Sequence, residues 1–222
     1  MTFPLASAQS PKAIVEAWLQ TSNLLLSGLN HSFSNRLTVL RAVISLSEAT
    51  VPPRSSGEIV DDEVDTLENL LGLYRLLAFA DRMEAEGSRV ADAMGDTISL
   101  AGHASGSESI TYIVVEEQDT QPVLVSAVAL TQALLQLILA ACRQRGRGNG
   151  ARSVTLTVNG DADWVTVSAQ VTGESRSAEA DVTAELGVAQ WLTRDAEGSA
   201  VLVPAAGGGV RAELRLATLT RQ

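Results

Sequence analysis

The chain has 222 residues, of which 45% are hydrophobic and 19% charged, which argues against disorder and allows one large core or two smaller ones. Its 26 acidic and 16 basic residues give a net charge of −10 with the basic residues scattered, so nucleic acid and anionic membrane are poor partners. A single cysteine, Cys142, excludes a disulfide framework, and no apolar run reaches the roughly 18 residues of a membrane span. The first residues, MTFPLASAQS, lack a basic segment followed by an apolar one, so we expect a cytoplasmic protein.

A long helix is predicted from about residue 11, a proline suited to a first turn, to about residue 50. At about 100° per residue, one stripe of this helix collects the apolar side chains expected to face a core: Leu26, Leu29, Phe33, Leu37, Leu40 and Ile44. His31 lies roughly 160° from the centre of that stripe, with Asn35 one turn on beside it. This histidine is therefore expected to point at water or at a partner.

A second helix is predicted from about residue 58 to about residue 85, after the break that two prolines and a glycine make in TVPPRSSG. Its stripe has alternating spacings of four and three residues and consists of Val60, Val64, Leu67, Leu71, Tyr74, Ala78 and Asp81, with Leu70, Leu73 and Leu77 widening the apolar face. Two helices alone cannot bury such faces. We expect a homodimer in which residues of about 10–86 form a four-helix bundle, with packing against the second half of the chain as the alternative.

The second half has a different pattern, with a short helix over residues 89–101 and strands in SITYIVVEEQ and PVLVS. A nearly all-apolar helix, LTQALLQLILAACRQ, is expected to be buried on most sides. Two strands joined at NGDAD follow, then the helix TAELGVAQWLTRD and a hairpin that turns at residues 207–209. We predict an α+β chain: a helical hairpin over residues 1–86, and a two-layer α/β sandwich of helices and antiparallel strands over residues 87–222.

This order of elements resembles the catalytic core of bacterial sensor histidine kinases, a dimerising phosphotransfer hairpin followed by an ATPase-like α/β sandwich. The run HSFSNRL at residues 31–37 resembles the phosphoacceptor box, in which the histidine is followed by an acidic residue and, four positions on, by Asn or Thr. ALTQALLQLILAACRQ resembles the helix that carries two asparagines for Mg·ATP. SAQVTGES and AELGVAQWLTRDAEGSAVLV stand where the two glycine boxes of that family lie.

Several positions in the second half of the chain depart from the family pattern, and these concern the nucleotide. Gln136 and Ala140 replace the two asparagines, and an alanine offers no oxygen to Mg²⁺. Val171 replaces the aspartate that reads adenine, and Glu185 replaces a glycine near the phosphates. Only residues 175–182 remain for the lid between the boxes. The resemblance therefore implies a degenerate ATPase-like domain that binds no ATP and needs no cofactor.

A degenerate domain beside a phosphoacceptor hairpin resembles the stand-alone histidine phosphotransferases that serve sporulation in bacilli and the cell cycle in alphaproteobacteria. Those proteins receive a phosphoryl group from one response-regulator receiver domain and pass it to another. The resemblance implies that His31 is the phosphoacceptor, that receiver domains are the partners, and that Mg²⁺ is carried by the receiver alone. No cluster of metal-ligand residues in the sequence predicts a metal site in this chain.

The residues around His31 suggest how the chemistry would work. Neutral imidazole attacks phosphorus through a ring nitrogen, and phosphoryl transfer needs mostly positioning and charge stabilisation. Ser32 replaces the carboxylate that serves kinases as a base. Asn35 either bonds the phosphoryl group or orients a water, or is a plain surface residue; Arg36 either steadies an anionic partner or is solvated. His103 has no acidic or cysteine cluster near it in the sequence, and we interpret it as structural.

Three functions are consistent with this pattern to different degrees. The first is a phosphorelay histidine phosphotransferase, and the second is a non-catalytic pseudo-histidine-kinase that dimerises and scaffolds or sequesters a response regulator. The third, a divergent kinase that uses ATP, is opposed by Ala140 and Val171. The first two share the same hairpin and the same docking surface, so both stay open at this stage.

Overall fold

The computed structural model describes residues 10–47, 56–77, 86–104, 110–116, 120–144, 152–172, 182–205 and 210–221. In these residues the fold is α+β, as the sequence predicts. The elements in chain order are α1 (Pro11–Ser47), α2 (Ser56–Arg75), β1 (Gly87–Ser88), α3 (Val90–Ala104), β2 (Ile110–Glu116), β3 (Val123–Leu124), α4 (Ala127–Gln144), β4 (Arg152–Gly160), β5 (Trp164–Val171), α5 (Thr183–Leu192), β6 (Ser199–Pro204) and β7 (Val210–Ala217).

The second helix ends earlier than predicted. α2 stops at Arg75, and the backbone N–H groups of Leu76 and Leu77 donate to Leu73 and Tyr74, three residues back rather than four. The continuation expected to residue 85 is therefore wrong at residues 76–77. Several other predicted features lie outside the described residues. They are the rest of the second helix to residue 85, the end of the first helix near residue 50, most of the TVPPRSSG break, residues 175–181 of the lid and the turn at 207–209.

A mixed five-stranded sheet has the order β2-β4-β5-β7-β6, and β1 pairs with β3 in a separate two-stranded ribbon. Neighbours in the large sheet are antiparallel except for β2 and β4, which are parallel. The expectation of antiparallel strands throughout is thus wrong for β2. The reason is the connection, because α4 lies between β2 and β4 in the chain and provides the crossover that a parallel pair requires.

The core of the α/β unit lies between one face of the sheet and α4, which is buried along most of its length, as its apolar sequence predicts. Alternate residues of the central strands point into this layer, as expected for a sheet with one covered face. They include Val154, Leu156 and Val158 on β4 and Val165, Val167 and Ala169 on β5.

The first helix is covered by the α/β unit along its N-terminal half and is partly uncovered farther along. Its N-terminal half joins the α/β unit, since Leu25 is part of that core and Trp18 Nε1 donates to Gln132 Oε1 on α4 at 3.1 Å. The alternative of packing against the second half of the chain therefore holds for this part of α1. Farther along, Leu37 and Ile44 are 57% and 61% exposed, so the end of the predicted core stripe is uncovered in the single chain.

Candidate functional site

His31 lies in the middle of α1 and is exposed, as the helical periodicity predicts. The amide nitrogen of Asn35, one turn on, lies 3.2 Å from His31 Nε2. An amide nitrogen can only donate a hydrogen bond, so Nε2 must accept it and the proton of the neutral ring is on Nδ1. The contact with Asn35 thus favours the Nδ1-protonated tautomer of His31, in which the Nε2 lone pair accepts the amide proton.

Arg36 is held by a carboxylate on the second helix. Its Nη1 lies 3.2 Å from Glu63 Oε1, and its side chain remains half-exposed. Glu63 is only 9% exposed, and its second oxygen, Oε2, is buried without a hydrogen-bond partner among the described residues. Arg36 is therefore more than a solvated helix residue, because it neutralises a buried charge while keeping guanidinium donors at the surface.

Glu63 was missed in the sequence analysis, although the sequence contains a signal for it. It lies three residues after Val60 and four before Leu67, so it occupies an apolar position of the α2 stripe. A carboxylate at such a position indicates a partner on the facing helix. The residue that pairs with it, Arg36, is distant in sequence, which explains why spacing alone did not identify the pair.

Ser32 and His103 connect the phosphoacceptor helix to the α/β unit. Ser32 Oγ lies 3.2 Å from Nδ1 of His103, which is in the last turn of α3. Burial lowers the pKa of the half-buried His103 imidazole below its ordinary value, which favours the neutral ring. The sequence predicts a structural role for His103 and a lost base at Ser32, and no spacing in it indicates that the two side chains meet.

The positions expected to contact a nucleotide lie on and around α4. Gln136 and Ala140 are buried one turn apart, and Gln136 Oε1 has no hydrogen-bond partner among the described residues. Glu185 on α5 is 3% exposed and forms an ion pair with Arg143, in the last turn of α4. Val171, at the end of β5, is half-buried. The carboxylate of Glu185 is thus turned into the protein and neutralised by a residue of the same chain.

The described ranges contain neither a metal-ligand cluster nor a membrane-spanning helix. Within those ranges, no group of three or more His, Cys, Asp or Glu side chains is placed to hold a metal ion. None of the helices in the described part of the chain combines the length and the apolar content needed to cross a bilayer.

No family model matches the sequence, and no curated protein matches it. Among solved structures, the catalytic domain of histidine kinase ThkA is 14% identical with a TM-score of 0.49, over 61% of this chain and 97% of that one. Acinetobacter baumannii histidine kinase AdeS is 13% identical with a TM-score of 0.47, over 85% of this chain and 98% of that one. A bacterial phosphotransferase is 14% identical with a TM-score of 0.43, over 95% of this chain and 99% of that one. This likeness concerns the fold and not the chemistry of any residue.

Proposed function

We propose that this chain is a histidine phosphotransfer protein of a phosphorelay. It accepts a phosphoryl group on His31 from one response-regulator receiver domain and passes it to another, without ATP. The observation that carries the proposal is the state of the His31 ring, which is exposed in the middle of a long helix with its Nε2 accepting a hydrogen bond from Asn35. A ring in this tautomer has its nucleophilic lone pair on the nitrogen that a globular partner would reach.

The transfer step is a displacement at phosphorus. The hydrogen bond from Asn35 to His31 Nε2 breaks first. The freed Nε2 lone pair then forms the N–P bond while the P–O bond to the receiver's aspartate breaks, and that electron pair stays on the aspartate carboxylate. The Nδ1 proton stays on the ring or leaves to water, and the reverse reaction on a second receiver restores the starting state. The receiver brings Mg²⁺ to the phosphoryl group, so this chain has to supply a nucleophile and a place to bind.

The surroundings of His31 support a macromolecular partner. A specific protein contact buries about 800 Å² on each partner. The end of α3 meets α1 beside His31, where Ser32 contacts His103, so a partner bound over His31 would contact both helices. Arg36 lies five residues on, about 140° around the helix from His31, and its pair with Glu63 ties α1 to α2 beneath this surface.

We also propose that the protein is a homodimer through the helical hairpin. Leu37 and Ile44 on α1 and Val64 and Leu71 on α2 are exposed at spacings of seven residues, as in the seam of a helical bundle. The pair between Arg36 and Glu63 brings Leu37 and Val64 to the same level of the hairpin. Covering these side chains with a second copy would remove apolar area at about 25 cal/mol per Å².

Light scattering tests the dimer. Leu37→Glu should lower the mass from that of a dimer to that of a monomer at micromolar concentration while the helical content stays the same. Thr38→Glu is the matched control, because it adds the same charge one residue on, about 100° around the helix. A monomeric wild-type protein would contradict the proposed dimer and leave the assignment of His31 to be tested separately.

The absence of ATP binding is a further part of the proposal. A phosphate group near α5 would meet the buried carboxylate of Glu185, which already has Arg143 as its counter-ion. Calorimetric titration with Mg·ATP should therefore give no binding heat. A dissociation constant in the micromolar range would favour the kinase function instead.

The decisive experiment incubates the protein with receiver domains that carry radiolabelled phosphoryl groups. We expect acid-labile, base-stable label on the wild-type chain and none on His31→Gln, which should fold and associate like the wild type because residue 31 is exposed. Label on His31→Gln would refute the assignment. Receivers that bind without labelling the wild type would instead favour the pseudo-histidine-kinase scaffold.

A further inference from the structure

The last turn of α3 crosses α1 directly beside His31. Gly28 and Ser32, one turn apart on α1, both face His103: a Cβ at Gly28 would overlap the His103 carbonyl oxygen, and Ser32 Oγ lies 3.2 Å from His103 Nδ1. One residue of the α/β unit therefore touches the backbone of α1 and bonds to the side chain that follows His31.

The hydroxyl of Ser32 behaves differently from other hydroxyls of the same helix. Ser34, Thr38 and Ser45 each donate to the carbonyl four residues back, at 2.9, 2.8 and 2.9 Å. Such local bonds satisfy a hydroxyl without any partner from another element. The hydroxyl of Ser32 instead bonds to His103 on α3, and packing of the two helices alone would not require that bond.

This bond constrains the direction of His31. Successive residues of an α-helix are about 100° apart, so directing Ser32 towards α3 turns His31 away from the interface and into solvent at its edge. Rotation or sliding of this part of α1 would break the bond to His103 and move the ring of His31 relative to the α/β unit.

We infer that His103 is a positioning residue for the proposed phosphotransfer. Through Ser32 it holds the turn of α1 that carries His31 in a fixed place beside the α/β unit. A receiver bound against both α1 and the α/β unit then finds Nε2 in line with its phosphoryl group. The inference rests on the proposed function. His103 itself forms no bond to the phosphoryl group, and its effect is on alignment, where displacements of about 1 Å change rates by up to about 100-fold.

Two variants of almost the same shape separate alignment from packing. His103→Asn places an amide on Cγ, where the imidazole has Nδ1, and keeps a bond to Ser32, whereas His103→Leu fills the same space without a polar atom. We expect His103→Leu to lower the rate of transfer from a phosphorylated receiver about tenfold, and His103→Asn to stay within about threefold of the wild type. Ser32→Ala should lose as much as His103→Leu, and the double variant should lose no more.

A small-molecule donor, phosphoramidate, provides the second measurement. It needs no docking, so His31 should take up label from it equally in the wild type, His103→Leu and His103→Asn.

Wild-type transfer rates in both His103→Leu and Ser32→Ala would overturn the inference, and so would an equal loss in His103→Leu and His103→Asn. A matching loss of phosphoramidate labelling would also overturn it, because the bond would then merely keep the helix folded. A wild-type chain that takes no label from any receiver refutes the proposed function itself, a result distinguishable from these since it involves no variant.

Discussion

Gly28 lies so close to His103 that a Cβ on it would overlap the carbonyl oxygen of His103. The lack of a side chain on α1 is what allows the end of α3 to reach this helix. The same approach brings the ring of His103 within 3.2 Å of Ser32, next to the candidate phosphoacceptor. A glycine in the middle of a long helix costs helix propensity, and here that cost is offset by the contact between two elements.

Gly28→Ala should therefore destabilise the protein, although alanine is the better helix former. We expect a loss of about 1–3 kcal/mol in the free energy of unfolding, because backbone atoms of α3 must move to admit the methyl group. Urea denaturation followed by circular dichroism measures this change.

Gly95→Ala is the matched control for that substitution. Gly95 is also helical, in α3, and a Cβ there meets nothing within 4 Å. This variant should gain about 0.5–1 kcal/mol from helix propensity alone. Equal shifts of the same sign in the two variants would contradict the close approach of α3 to α1.

The pair between Arg36 and Glu63 gives a prediction about charge burial. Arg36→Met should cost about 1–3 kcal/mol, because it leaves the buried carboxylate of Glu63 without its counter-ion. Adding Glu63→Leu to Arg36→Met should recover most of that loss, since the double variant has no buried charge left to satisfy. Chemical denaturation of both variants provides the comparison.

An exposed ion pair on the same helix is the control. Lys12 and Glu16 lie 3.8 Å apart with side chains 85% and 59% exposed, so Lys12→Met should leave stability almost unchanged. If Arg36→Met lowered the free energy of unfolding as little as Lys12→Met, the carboxylate of Glu63 would have to be hydrated in solution. Its burial against α1 would then be wrong.

The sequence identified those features that depend on local periodicity. The stripe of α1 placed His31 on the exposed side, and alternation in β4 and β5 identified the strands of the central sheet, because a single element's pattern determines which of its faces is buried. Features that join distant segments were missed. Glu63 meets Arg36, and His103 meets Ser32, only after α2 and α3 have packed on α1, and no spacing rule links residues 32 and 103. The parallel pairing of β2 depended likewise on how α4 crosses the sheet.

The burial of His103 predicts a pH dependence of stability. Its folded-state pKa is below its ordinary value of 6.5, so between these two values the unfolded chain binds more protons than the folded one. The contribution of neutral His103 is therefore fully present above about pH 7.5 and is lost as the pH falls below about 6.5 towards the folded-state pKa. Thermal unfolding from pH 7.5 to 5.5 should show a steeper decrease for the wild type than for His103→Asn. Parallel curves would mean that His103 is solvated in the folded state.

The hydrogen bond from Asn35 predicts the tautomer of His31. In the wild type, at a pH where the ring is neutral, nitrogen NMR should find the proton on Nδ1 and the lone pair on Nε2, because the amide of Asn35 donates to Nε2 at 3.2 Å. Asn35→Ala should reduce the share of this tautomer, and a bond of about 1 kcal/mol corresponds to a factor of about five in the tautomer ratio. Transfer from a phosphorylated receiver should slow by up to the same factor, since fewer rings then present Nε2 as the nucleophile. Asn30→Ala, at an exposed asparagine that precedes His31, should change neither the spectrum nor the rate. An unchanged tautomer ratio in Asn35→Ala would show that Asn35 does not orient the ring.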